Sequence, residues 1–250
     1  MLKEERQRYI LQVLRQDGKL SAMELCARLG VSGDTIRRDL DELAAASALQ
    51  RVHGGALPRP AVVPFDLRDR EADQAKAAIA DLAVELLRDG QVIIMDSGAT
   101  VLAVARRLPL NLRATVITTS IPVAAVLTHH PLVSVHLTGG SLKKDAQSLV
   151  GVPAVEALHG VHADLCLLGI CSLHFELGLS VSDPDEAYVK RAMVRNAALV
   201  VALAGAEKIG TAEPYVVSPV SALTHLITDR TVPEPLLAPY RSLGLTILQG

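Results

Sequence analysis

Tryptophan is absent from this chain, and the aromatic residues together make up 2% of it. The core must therefore be aliphatic. Half of the 250 residues are hydrophobic, enough for one large domain or two smaller ones. Cysteine is scarce. Cys26, Cys166 and Cys171 are odd in number and form no Cys-x-x-Cys, which points to small apolar residues in a reducing compartment rather than to a disulfide framework or a metal site. No apolar run approaches the roughly 18–20 residues that span a bilayer, so no membrane partner is expected. Met1-Leu2-Lys3-Glu4-Glu5-Arg6 is too charged for a secretory leader, and a cytoplasmic location is expected. An excess of charge is lacking too. The formal net charge is −2, and the first 57 residues carry nine Lys and Arg against eight Asp and Glu. Contact with nucleic acid has to come from the placement of a few cations, not from a global field.

What is present at the N-terminus has that character. Residues 3–16 read as a helix with Ile10, Val13 and Leu14 inward and Arg6, Arg8 and Arg15 outward, stopped by Asp17-Gly18. Ser21-Ala22-Met23-Glu24 reads as a capping box that opens a second short helix with Leu25, Cys26 and Leu29. Gly30-Val31 turns the chain, and Ser32 caps a third helix in which Ile36, Leu40 and Leu43 share one face. Arg38 then points away from Ile36, with Thr35 and Arg37 on the flanks. Two short helices joined by a Gly-containing turn, the second with a polar outward face, have helix-turn-helix spacing. The stretch Leu49-Gln50-Arg51-Val52-His53-Gly54-Gly55 suits a β-wing after the recognition helix. The candidate DNA contacts are Ser21, Ser32, Asp34, Thr35, Arg37 and Arg38, with Arg51 and His53 in the wing.

Leu57-Pro58-Arg59-Pro60-Ala61-Val62-Val63-Pro64 is proline-dense, extended and semi-rigid, and marks the domain boundary. The expected organisation is a winged helix-turn-helix domain over 1–57, a linker over 58–70 and an α/β domain over 71–250. A helix over 71–88 buries Ile79, Leu82, Ala83 and Leu86. Beyond it, short apolar runs at 92–95, 115–118, 133–137, 165–168, 199–203, 226–228 and 245–248 alternate with helical stretches. Several are apolar on both faces, which predicts a mostly parallel sheet covered by helices. Ligands of such sheets bind at the carboxyl ends of strands. Those ends here are Asp96-Ser97-Gly98-Ala99-Thr100, Thr118-Thr119-Ser120, Thr138-Gly139-Gly140 near Lys143 and Lys144, Gly169, and the segment before Lys208. Their recurrence at one sheet edge predicts a site for a small anion. His159 and His162 are too isolated to argue for a metal.

Thr35-Ile36-Arg37-Arg38-Asp39-Leu40 followed by Arg51-Val52-His53-Gly54-Gly55-Ala56 resembles the winged helix-turn-helix of the DeoR family of bacterial transcriptional regulators. Ser47 stands where that family usually has Gly. The resemblance continues through Asp96-Ser97-Gly98, Gly139-Gly140, Gly151, Gly178-Leu179, the 186–190 stretch, Lys208 and Ile227-Thr228-Asp229, which look like the family's C-terminal sensor domain. It implies a fold similar to ribose-5-phosphate isomerase and the CoA transferases. It also implies an effector site in which Ser97, Gly98, Ala99 and Thr100 hold the phosphate of a sugar phosphate. Thr118, Thr119, Gly139 and Gly140 would shape the pocket, Lys190 and Lys208 would neutralise the ligand, and Asp96 would accept from its hydroxyls. Ala99, Thr119, Ser172 and Gly205 depart from the family pattern, where Thr, Asn, Gly and Asp are usual; the last removes a hydroxyl acceptor.

The function these features imply is a DNA-binding transcriptional regulator, a repressor of carbohydrate metabolism genes, released from double-stranded operator DNA by a phosphorylated sugar. It would act as a homodimer or homotetramer, without catalytic residues, metal or cofactor. The alternative is a phosphosugar isomerase or CoA-transferase-like enzyme with an accessory DNA-binding module, using pairs such as Asp96 with Lys208 or Glu186 with Lys190 for proton transfer.

Overall fold

A computed structural model of the chain describes residues 1–60, 63–70 and 74–250. The first helix, α1 (Lys3–Asp17), is closed at its start by the Leu2 N–H donating to Glu5 Oε2 at 2.9 Å and at its end by Gly18 in the left-handed conformation. A two-residue strand, β1 (Leu20–Ser21), leads into α2 (Ala22–Leu29), and the turn at Gly30 leads into α3 (Gly33–Ala45). Ser21 accepts from the Glu24 N–H at 3.4 Å, so one half of the predicted capping box is formed. Ile36, Leu40 and Leu43 are buried against Ile10, Leu14 and Leu25, as the 3.6-residue period requires. The wing is a hairpin of β2 (Gln50–Val52) and β3 (Gly55–Leu57) turned at His53-Gly54, and β1 adds to it in the order β1-β3-β2. Gly55 makes that pairing possible: a Cβ there would lie 1.7 Å from the Leu20 carbonyl oxygen.

One expectation is corrected in this domain. Arg6 does not face outward; its guanidinium pairs with the buried Asp39 of α3, with Nη2 donating to Oδ1 at 3.1 Å. Lys3 and Gln7 both reach Glu42, so polar clips as well as aliphatics lock α1 to α3. Ser47 adopts φ +58°. The Ala48 N–H reaches the Leu43 carbonyl and the Ser47 N–H reaches the Ala44 carbonyl, both at 2.9 Å. This is a Schellman stop with serine in the left-handed position that usually holds glycine.

The predicted linker is more ordered than an extended spacer. The Pro58 carbonyl accepts from the Ala212 N–H at 3.2 Å, and Arg59 Nη2 lies 2.6 Å from the buried Glu213 Oε2. Its second half forms a short helix, α4 (Phe65–Arg70). Phe65, one of only two phenylalanines, is buried, Asp66 accepts from Gln147, and Asp69 is gripped bidentately by Arg106 at 2.6 and 3.0 Å. The Arg106 guanidinium lowers the Asp69 carboxyl below its ordinary range. Ala61 and Val62 of the predicted linker lie outside the described residues.

Next comes α5 (Gln74–Val84), shorter than predicted; positions 71–73 of the prediction lie outside the described residues. It buries Ile79, Ala80 and Ala83 fully and Leu82 partly, and Leu87 replaces Leu86 as the fully buried residue after its end. The sheet begins with β4 (Val92–Met95), followed by α6 (Ala99–Ala105), β5 (Ala114–Thr118), α7 (Ile121–Leu127) and β6 (Val133–Leu137). A hairpin of β7 (Ser141–Lys143) and β8 (Ser148–Val150) precedes α8 (Val152–His159) and β9 (Ala163–Gly169). Then follow β10 (Ser172–His174), β11 (Gly178–Val181), α9 (Pro184–Arg195), β12 (Ala197–Leu203), β13 (Tyr215–Ser218), β14 (His225–Thr228), α10 (Glu234–Ser242) and β15 (Thr246–Gln249).

Seven strands form one sheet in the order β15-β14-β12-β9-β4-β5-β6, and every pairing in it is parallel. Each predicted apolar run is one of its strands. Their side chains alternate between two cores: Ile94, Cys166 and Leu168 pack on the face with α8, α9 and α10, while Ile93, Met95, Leu165 and Leu167 pack on the face with α5 and α6. The antiparallel additions, β7-β8 and β10-β11-β13, were not predicted. They are three or four residues long, each with a Ser, and too short to show alternation.

Ser47→Gly relieves the left-handed serine and is expected to raise unfolding stability by about 0.5–1 kcal/mol, since the relief exceeds the extra backbone entropy of glycine in the unfolded chain. Chemical denaturation of the full chain measures it, and no gain would show that the Ser47 conformation carries no strain.

Candidate functional site

Two regions gather the polar residues. On α3, Ser32 accepts from the Thr35 N–H at 3.3 Å, and the two hydroxyls lie 2.9 Å apart. Asp34 pairs with Arg37 at 3.1 Å across one turn. Arg37 and Arg38 are exposed, and Arg38 has no hydrogen-bond or ion-pair partner among the described residues. His53 stands exposed at the wing turn. Ser21 is half-buried in its cap. Arg51 leans back onto α3, 3.4 Å from Asp41 and 3.5 Å from the Arg37 carbonyl, so it braces the wing against the helix. Ser32, Asp34, Thr35, Arg37 and Arg38 thus share the start of one helix, with His53 on the adjoining hairpin. Asp39, inside the same motif, is a structural residue, and its i, i+3 relation to Ile36 on the inward face was the available signal.

The second region is a cavity of about 170 Å³ at the carboxyl ends of β4, β9 and β12. That is below the roughly 300–1,000 Å³ of drug-sized clefts and suits a small ligand rather than a nucleotide. Residues 97–100 after β4, 169–171 after β9, and Gly205, Glu207 and Lys208 after β12 line it. Glu186 and Lys190 of α9, Lys143 and Asp145 of the β7-β8 hairpin and Lys76 of α5 complete the polar wall. Val63 and Pro64 of the linker close one side, held by the Phe65 N–H donating to the Asp145 carbonyl at 3.3 Å.

A buried ion cluster forms the floor. Lys190 is 2% exposed; its ammonium donates to Asp96 and, at 2.9 Å, to the Gly169 carbonyl, and lies 3.6 Å from Glu186. Burial alone would lower the pKa of Lys190, but the Asp96 and Glu186 carboxylates outweigh it and raise it. Asp96 also accepts from the Gly169 N–H at 2.9 Å. Gly169 allows this closeness, because a Cβ there would sit 2.4 Å from the Ser97 carbonyl oxygen. Lys143 pairs with Asp183 at 3.2 Å and Glu186 at 3.3 Å. Asp183 caps α9, accepting from the Glu186 N–H, and so fixes the helix end that carries both pocket residues. Burial pushes the Cys171 thiol up to about 12, with Glu186 adding to it, which keeps the pocket's cysteine protonated.

Of the effector residues expected from sequence, Ser97, Gly98, Ala99, Thr100, Lys190 and Lys208 line this cavity. Asp96 lies beneath it, and its carboxylate is engaged by Lys190 and Gly169 rather than free for a ligand hydroxyl. Thr118, Thr119, Gly139 and Gly140 are not brought to it. Thr118 and Thr119 are buried, Thr118 Oγ1 accepts from the Ser120 N–H, and the Thr119 carbonyl accepts from Leu149. Gly139 and Gly140 are exposed beyond β6. The reason is the strand order: β5 and β6 lie on the far side of β4 from β9 and β12, so only some of the strand ends converge. Sequence reading missed Val63, Pro64, Asp145, Cys171 and Glu207; Glu186 and Lys190 at i, i+4 were the legible pair. Cys171 is half-buried and pocket-lining, which departs from the expectation of a merely buried apolar residue.

Among the described residues, no group of three or more His, Cys, Asp or Glu is placed to hold a metal ion, and no helix is long and apolar enough to cross a membrane.

Two family profiles match the chain. One, described as a DeoR-like helix-turn-helix domain, covers residues 6–58, and the other, described as the DeoR C-terminal sensor domain, covers residues 71–230. The HTH-type transcriptional regulator GlpR of Haloferax volcanii is 35% identical over 253 residues, spanning 100% of this chain and 99% of its own. The HTH-type transcriptional repressor GlcR of Bacillus subtilis is 35% identical over 233 residues, spanning 92% of this chain and 90% of its own. A putative aga operon transcriptional repressor of Escherichia coli is 31% identical over 250 residues, spanning 98% of this chain and 93% of its own. Among solved structures, a ribose 5-phosphate isomerase from Methanocaldococcus jannaschii overlays 53% of this chain and 52% of its own with 19% identity and a TM-score of 0.39.

Lys190→Met leaves Asp96 buried without its countercharge and is expected to cost about 3 kcal/mol of stability, in the range for breaking one side of a buried ion pair. Denaturant unfolding of the full chain measures this, and a change within experimental error would mean that Asp96 is neutral without Lys190.

Proposed function

The chain belongs to the DeoR family of transcriptional regulators, and from that premise we propose that it represses carbohydrate metabolism genes and is released from its operator by a phosphorylated sugar. It binds DNA through its helix-turn-helix domain and a small molecule through its sensor domain. The enzyme alternative is not favoured, because the curated relatives matched over nearly the whole chain are transcriptional regulators. We assign the protein to the cytoplasm, where operator and sugar phosphates meet.

In this proposal Arg37 and Arg38 contact bases and phosphates of the major groove, with Ser32, Thr35 and Asp34 at the helix start, Ser21 at the cap of α2, and His53 at the wing. Two copies, in a homodimer or homotetramer, place their α3 helices in successive major grooves about 34–36 Å apart. The effector's phosphate meets the N–H and hydroxyl groups of residues 97–100 together with Lys208. Lys208 suits that role because its one ion-pair contact among the described residues, to Glu207, is loose at 3.8 Å, whereas Lys143 and Lys190 are held closely by carboxylates. No metal or cofactor enters the scheme.

One observation carries the coupling: the strap that leaves the wing is a wall of the pocket. Leu57 ends β3, Pro58 and Arg59 dock on Ala212 and Glu213, and Val63 and Pro64 line the cavity. A ligand that displaces Val63 and Pro64 pulls on the chain that positions the DNA-binding domain. A coupling of about 1–3 kcal/mol, roughly 5–150-fold in operator affinity, is typical of such switches.

The test is operator release by a panel of phosphorylated sugars; failure of every one to weaken a bound operator complex overturns the effector reading. Arg38→Ala is expected to weaken operator binding and, for a phosphate contact, to lower the magnitude of the salt slope by about 1. Unchanged affinity across salt concentrations removes Arg38 from the interface. Glu213→Ala unties Arg59 and is expected to blunt sugar-induced release while sugar binding persists. Equal release in variant and parent takes the strap out of the coupling path.

A further inference from the structure

Gly205 and Glu207 form a pair that the pocket's ion clusters leave out. Gly205 has φ −71°, a conformation open to any residue, yet it carries no side chain. The space above it is occupied: a Cβ at 205 would lie 2.4 Å from Glu207 Oε2 and 3.2 Å from Glu207 Oε1. The Glu207 carboxylate is therefore folded back over the bare backbone, to the place where a short acid at 205 would project. It lines the cavity, and its side chain is 67% exposed, with Lys208 at 3.8 Å as its ion partner. By contrast, Asp96 is committed to the buried Lys190 and Glu186 to Lys190 and the half-buried Lys143, while Asp145 stands on the β7-β8 hairpin and not at the end of a strand of the large sheet. Glu207 is thus a pocket carboxylate with acceptor capacity to offer a ligand.

Its position in the sheet sets what it meets. Residues 97–100 follow β4 and Glu207 follows β12, and these strands flank β9 on either side. Two strand spacings separate the two loops, about 10 Å, the reach of a five- or six-carbon chain with a terminal phosphate. A carboxylate repels the phosphate, so the ligand lies with its phosphate at the β4 loop and its hydroxyl end at the β12 loop. A carboxylate accepts from two adjacent hydroxyls, and such charge-assisted bonds discriminate strongly between a donor and its absence.

We propose that Glu207 is the specificity-determining residue of the effector pocket: folded over Gly205, it accepts hydrogen bonds from the hydroxyl end of a phosphorylated polyol or sugar. This rests on the reading of the pocket as a sugar-phosphate site.

The experiment is calorimetric titration of the full chain with ribose 5-phosphate, glucose 6-phosphate, fructose 6-phosphate and inorganic phosphate. At least one sugar phosphate is expected to bind the parent protein. Glu207→Ala is expected to weaken that sugar phosphate about tenfold, as for loss of a bond to a charged group. Inorganic phosphate, lacking the hydroxyl end, should change by no more than about twofold, since a screened, exposed carboxylate acts weakly at a distance. Adding Gly205→Asp to Glu207→Ala restores a carboxylate to the same place and is expected to recover most of the lost affinity, which also shows that the variant is folded. Equal sugar-phosphate affinity in parent and Glu207→Ala overturns the inference while leaving the effector reading intact. An equal loss for inorganic phosphate also overturns it, placing Glu207 on the phosphate end through Lys208. Absence of binding by every sugar phosphate to the parent removes the effector reading itself, and the inference with it.

Discussion

The ammonium of Lys190 holds together the end of the sheet at which the cavity lies. It sits at the carboxyl end of the sheet, where β4 contributes Asp96, β9 contributes the Gly169 carbonyl and α9 contributes Glu186 and the lysine itself. A charge so deeply buried is tolerated only because carboxylates and a carbonyl replace its water. The arrangement fixes α9 against two strands, and Glu186 extends it through Lys143 to the β7-β8 hairpin. Asp145 of that hairpin then receives the Phe65 N–H of the strap. A continuous polar chain thus runs from the sheet floor to the segment that leads back to the wing. Its members are charged pairs and backbone bonds, which have discrete alternatives, and this is the kind of connection through which a small displacement in a pocket is transmitted.

The same cluster limits the free positive charge that Lys143 and Lys190 present to the pocket. Lys143 and Lys190 are held by Asp183, Glu186 and Asp96, so neither is a free counter-ion. In the proposed effector site, a phosphate meets backbone N–H groups, hydroxyls and Lys208 rather than Lys143 or Lys190. Binding by directed donors rather than by bulk attraction favours a ligand whose shape fits over one whose charge merely suits. The small cavity acts in the same direction.

Much of this was legible in the sequence, for identifiable reasons. The inner strands β4, β9 and β12 announced themselves because they are largely buried and nearly pure aliphatic, while the edge strand β6 showed only by the alternation of its half-buried valines with exposed Ser134 and His136. The helices of the DNA-binding domain were legible because Ser21 and Ser32 cap them and Gly18 and Gly30 end them. The convergence of strand ends was less so. All of them carry Gly, Ser or Thr, but strand order decides which of them meet, and parallel order is set by crossovers that no local pattern encodes. Thr118, Thr119, Gly139 and Gly140 were placed with the pocket for that reason and lie elsewhere. The strap was misread because prolines signal extension but not docking. Its order comes from Phe65, Asp69 and Arg59 finding Arg106, Glu213 and the hairpin far along the chain. Likewise, Arg6 read as a surface arginine because its partner, Asp39, lies 33 residues away.

Those distant ion pairs bear on how regulation can work. Arg6–Asp39 and Lys3–Glu42 bind α1 to α3, and Arg51–Asp41 binds the wing to the same helix. With Ile36, Leu40 and Leu43 buried beneath, the recognition helix has no separate freedom inside its domain. A signal from the pocket therefore cannot act by bending or melting α3 without breaking several contacts at once. The cheaper motion is of the whole domain about the strap, whose recorded ties after β3 include the Pro58 carbonyl and Arg59. In the proposed oligomer, a rigid reader with few exposed arginines would bind well only when two copies are correctly spaced, since the near-neutral charge of the domain provides little affinity of its own. Weak intrinsic attraction is thus the condition that makes domain placement decisive, and placement is what a ligand against Val63 and Pro64 is positioned to change.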